Sequence, residues 1–78
     1  MLVEIESLDN GSGVDSRLRV YKCYNPQQKL FEQRPFCLIE EDEFLGLIPE
    51  SKWDAFSNGI YQFNVKLSQL IDKCIKTY

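Results

Sequence analysis

No histidine occurs among the 78 residues. That removes the commonest general base near neutral pH and the commonest metal ligand. A Ser-His or Cys-His nucleophile therefore cannot be assembled within the chain. Cysteine is scarce and odd in number, and Cys23, Cys37 and Cys74 are widely spaced. Thiolate zinc motifs pair cysteines a few residues apart, and small disulfide frameworks use even counts. Three reduced thiols are the expectation. No apolar run approaches the roughly 20 residues that span a bilayer. The opening MLVEIESLDN carries acids where a secretory signal has basic and then apolar residues. A cytoplasmic protein with no membrane segment is expected. Gly11-Ser12-Gly13 lacks the Lys-Ser/Thr pair and the helix pattern that follow a phosphate loop, so it reads as a plain loop. No cofactor is expected.

What is present suits a small folded unit. Apolar residues make up 44% and charged residues 27%, ordinary proportions for a globular domain. At this length one domain over residues 1–78 is expected, burying only about 60–65% of its unfolded surface. Charge alternates in sign along the chain. Residues 1–16 carry only acids: Glu4, Glu6, Asp9 and Asp15. Residues 17–34 set Arg17, Arg19, Lys22, Lys29 and Arg34 against Glu32. Residues 35–58 set Glu40, Glu41, Asp42, Glu43, Glu50 and Asp54 against Lys52. Residues 59–78 are basic again, with Lys66, Lys73 and Lys76 against Asp72.

Hydrophobic periodicity divides the chain. In LVEIESL, residues 2–8, Val3 and Ile5 share one side and Glu4 and Glu6 the other, a strand pattern. RLRVYKCY, residues 17–24, alternates too, with Leu18, Val20 and Tyr24 opposite Arg17, Arg19, Tyr21 and Cys23; Lys22 breaks the apolar side. Paired antiparallel, these strands bring Glu4 and Glu6 near Arg17 and Arg19, where opposite charges attract. Asn25-Pro26-Gln27-Gln28 is a turn signal, and a third strand is expected from about Lys29 to Leu38, with Pro35 marking an edge or a bulge. Glu40–Glu43 then suit the positive first turn of a short helix reaching about Leu45, with Phe44, Leu45 and Ile48 buried. Pro49 opens a second helix, PESKWDAFS, with Trp53 and Phe56 on one buried side, stopped at Asn58-Gly59. Residues 60–78 fit helical spacing throughout, and one long helix is expected. A strand at 61–67 followed by a helix capped by Ser68 is the alternative. The expected fold is α+β, with a small antiparallel sheet of about three strands against two short helices and a longer C-terminal one.

Function is read by elimination and by two surfaces. Carboxylate catalysis needs a carboxyl with a raised pKa in a cleft, and so short a chain leaves little room for one, so an enzyme is not expected. The acidic stretch Glu40, Glu41, Asp42, Glu43, Glu50 and Asp54 complements a basic surface on another protein and speeds encounter with it. Trp53, Tyr61 and Tyr78 are of types enriched at interface hot spots. A small acidic protein-interaction domain is expected, an inhibitor or adaptor of the phage accessory type. The alternative is a single-stranded nucleic-acid binder using Arg17, Arg19, Tyr21, Lys22, Lys29 and Arg34, since basic strands with interleaved aromatics stack bases.

Overall fold

The computed structural model describes residues 1–9, 13, 15–23, 33–59 and 62–78, with the side chains of Phe56 and Ser57 left aside. Among these, five strands form one antiparallel sheet: β1 (Leu2–Ser7), β2 (Arg17–Lys22), β3 (Cys37–Glu40), β4 (Gln62–Asn64) and β5 (Lys76–Thr77), in the order β4-β1-β2-β3-β5. Three helices accompany it: α1 (Glu41–Leu45), α2 (Trp53–Ser57), which continues a 3₁₀ turn at Glu50–Lys52, and α3 (Leu67–Lys73). The fold is α+β with an antiparallel sheet, as expected. Its two extra strands are short edges supplied by the segment read as one helix.

Strand alternation decides which side of the sheet is covered. Val3 and Ile5 of β1, Leu18 and Val20 of β2, and Cys37 and Ile39 of β3 bury on one side. Phe44, Ile48, Phe63, Val65 and Leu70 close over them. The Phe44 and Phe63 rings meet edge to face, with centroids 5.8 Å apart. Each such side chain contributes about 1.5–3 kcal/mol of burial. The opposite side of the three central strands carries Glu4, Glu6, Arg17, Arg19, Tyr21 and Leu38, by register and alternation.

The third strand begins at Cys37, later than expected; residues 24–32, with the predicted turn and the start of that strand, lie outside the described residues. Proline cannot donate to a ladder, and the described pairing with β2 starts only after Pro35. Residues 60–78 do not form one helix. Phe63 instead pairs with Val3 and Asn64 with Leu2, and α3 starts at Leu67, with Lys66 rather than Ser68 at its cap position. Alternation wins over helical spacing here because β1 offers an open edge. Of the apolar residues at helical spacing from Leu67 to the end of the sequence, only Leu70 is fully buried; Leu67 and Ile71 on α3, and Ile75 and Tyr78 beyond it, are exposed. Gly59, at φ 85°, follows α2, and glycine takes that left-handed conformation without strain.

Candidate protein-binding surface

The acidic run divides between two elements. Glu40 closes β3, opposite Arg17 in the register, and its Oε2 accepts a hydrogen bond from the Ser16 hydroxyl at 2.8 Å. The Glu41 amide donates to the Ser16 carbonyl at 2.8 Å. Ser16 thus holds the point where strand becomes helix. Glu41, Asp42 and Glu43 then fill the first turn of α1, where unpaired N–H groups favour negative charge. Phe44 on the same short helix is fully buried, and this fixes Asp42 and Glu43 toward solvent.

Trp53 corrects the sequence expectation. It is 41% exposed, and its indole N–H donates to the Leu45 carbonyl at 3.0 Å. That bond ties α2 to the end of α1 and leaves much of the ring in solvent. Glu50 and Asp54, three residues before it and one after, are exposed as well. Helical spacing of four puts them on one side of the 3₁₀ turn and α2. Glu43 meets Lys73 of α3 at 3.8 Å, with both side chains half exposed. Among the described residues, the carboxylates of Glu41, Asp42, Glu50 and Asp54 have no ion pair or side-chain hydrogen bond. The exposed Trp53 was the feature sequence reasoning missed. Its polar neighbours Glu50, Ser51, Lys52 and Asp54 were the available signal.

The basic residues are placed differently. Arg17 forks onto Asp15, with Nε to Oδ1 at 3.0 Å and Nη2 to Oδ2 at 2.8 Å. This pairing holds the Asp15 carboxyl down at about 2. Arg19 Nη1 reaches Glu6 Oε1 at 2.9 Å, and the Tyr21 hydroxyl donates to that same oxygen at 2.9 Å. Burial, then the Glu6 carboxylate, pushes the buried Tyr21 phenol up. Of the expected cross-strand pairs, Glu6–Arg19 forms; Glu4 instead accepts from the Gln62 side-chain amide at 2.8 Å. Lys22 lies on the other side of the sheet, opposite Val3, with its ammonium 4.5 Å from the centre of the Phe36 ring. Arg34 is exposed, and Lys29, Tyr24, Phe31 and Tyr61 lie outside the described residues. Arg17, Arg19 and Tyr21 therefore share one side of the sheet, and Lys22 does not join them.

An open groove of about 300 Å³ runs between Ile48, Pro49 and Lys52 on one wall and Phe63 and Asn64 of β4 on the other. No helix among the described residues is long and apolar enough to cross a membrane. The chain matches no protein-family model, no curated protein and no solved structure.

Proposed function

We propose that the chain is a small non-enzymatic protein-interaction domain, an inhibitor or adaptor acting in the cytoplasm. It docks on a basic surface of a partner protein through Glu41, Asp42, Glu43, Glu50 and Asp54, with Trp53 as the anchor among them. The observation that carries this reading is the contrast in pairing. Carboxylates on the sheet side of the molecule hold internal partners, whereas four of these five hold none among the described residues, and two of the four, Glu50 and Asp54, flank a half-exposed tryptophan. Unpaired charge around an aromatic anchor matches the division of labour at interfaces, where exposed charge steers encounter and a buried aromatic supplies affinity. Nothing favours the nucleic-acid alternative over this. Two of its three arginines, Arg17 and Arg19, are already bridged by Asp15 and Glu6, and Tyr21 is buried.

The test is affinity capture with and without nuclease, comparing wild type with Trp53→Ala and with the double change Glu41→Gln, Glu43→Gln. One stoichiometric protein, lost with Trp53→Ala and held less tightly by the double variant at low salt, supports the reading. Equal recovery with all three proteins removes it, and recovery only when nuclease is omitted transfers the function to the basic strand.

A further inference from the structure

Two of the three cysteines lie on neighbouring segments at the covered side of the sheet. Cys37 on β3 has no solvent exposure. Cys74 directly follows α3, is half-buried, and packs against the same core cluster. Its Sγ donates to the Ile71 carbonyl at 3.2 Å, and it lies near enough to Cys37 to add to the effect of burial in raising that thiol's pKa. The backbone brings the two segments together next door, with the Ile75 amide donating to the Leu38 carbonyl at 2.7 Å and Thr77 pairing with Cys37. Cys23 follows β2 on the Glu4 side of the sheet, by alternation from Lys22, and so faces away from both.

We propose that Cys37 and Cys74 form a redox-active dithiol, a modification site at which hydrogen peroxide converts the pair to a disulfide joining the end of α3 to β3. The half-buried thiol reacts first. The Cys74 thiolate attacks one peroxide oxygen, an S–O bond forms, the O–O bond breaks, and hydroxide leaves to be protonated to water. Cys74 is then a sulfenic acid. The Cys37 sulfur next displaces hydroxide from the Cys74 sulfur, and the Cys37 proton leaves with that hydroxide as a second water. Two thiols are oxidised by two electrons and one peroxide is reduced to two waters. Burial and the neighbouring Cys74 push the Cys37 thiol up to about 12, so this second step is the slow one and quickens with pH, since the thiolate is the nucleophile. Cys37 sits on the strand beside the Cys74 segment, so the sulfenic acid is captured within the fold. Reduction by a small thiol restores the pair.

The experiment treats the folded, reduced protein with hydrogen peroxide, then counts thiols in denaturant without reductant and maps linked peptides by mass spectrometry. The expected result is a fall from three thiols to one, a single Cys37–Cys74 linkage, and a melting temperature raised by about 10 °C or more, because the link closes a long loop. A small dithiol reductant reverses all three changes. Cys23→Ser forms the same link. Cys74→Ser, a change at a half-buried position, gives no linkage between its remaining cysteines. A link involving Cys23, or a Cys74 sulfinic acid beside a free Cys37 thiol, overturns the proposal. So does a linked protein that melts no higher than the reduced one.

Discussion

Glu6 and Glu41 differ in what holds them. Glu6 projects from the sheet and accepts hydrogen bonds from Arg19 and Tyr21, so its charge is used inside the fold. Glu41 projects from α1 and its carboxylate meets nothing among the described residues. Asp15 and Glu4 behave like Glu6; Asp42, Glu50 and Asp54 behave like Glu41. An acid built into a network raises stability when paired and lowers it when stripped. An acid left in solvent near its own kind is neutral or slightly unfavourable to the fold, and is kept for something outside it. The difference separates changes that unfold the chain from changes that only alter what it binds.

The largest expected effect tests whether α1 is a scaffold for its acids. Phe44→Ala empties the centre of the core and should cost about 3–5 kcal/mol in denaturant melts, taking the acidic surface with it. A smaller cost would mean that α1 holds its place by its ends alone. Next comes alkaline pH. The folded Cys37 keeps its proton up to about 12, whereas an unfolded thiol loses it near its ordinary value. Stability is thus intact below about pH 9 and falls between there and about 12, by up to about 1.4 kcal/mol per pH unit. Urea melts at pH 8 and 10.5 should show that decline, and Cys37→Ala should reduce it.

Glu6→Ala should cost about 1–2 kcal/mol, because it leaves the hydroxyl of the buried Tyr21 without its acceptor. Trp53→Ala should cost about 1 kcal/mol, the scale of one hydrogen bond to a backbone carbonyl. A loss of 3 kcal/mol or more, the range of a large buried aromatic, would put Trp53 in the core and break the proposed anchor. The smallest effect is reserved for Glu41→Gln with Glu43→Gln. The melting curve should move by less than about 0.5 kcal/mol either way. The partner's association rate should fall, and the fall should shrink as salt screens charge beyond about 10 Å. A stability loss matching that of Glu6→Ala would erase the contrast between the two sets of acids.

Local pattern carried the elements whose partners are near in sequence. β1 and β2 alternate cleanly because one side must be apolar, and acids at the start of α1 meet a rule that acts within one turn. Gln62–Asn64 fit two templates equally, and the choice was made by Leu2–Glu4, far away in the chain. β5 is two residues long and has no period to detect. Trp53 was misplaced because an aromatic beside Phe56 suggests a buried stripe. Its position is set instead by the carbonyl of Leu45 and by the polar residues around it. Of the paired carboxylates, Glu6 is legible in the sequence from the alternation of β1 and β2, whereas the Gln62 partner of Glu4 and the Asp15–Arg17 fork emerge only in the fold.

The strand order also bears on how the chain is made. Consecutive strands β1, β2 and β3 pair as soon as they exist, but each outer edge waits for the last residues: Asn64 for Leu2, and Thr77 for Cys37. A partly folded chain that has paired only β1, β2 and β3 leaves both of their outer edges bare and its apolar side without Phe63 and Leu70. Pairings this distant slow folding toward milliseconds and beyond, roughly the all-β end of the scale, and bare edges invite pairing with other chains. The yield on refolding should therefore fall as protein concentration rises, through association of edge-bare chains before β4 and β5 close the sheet.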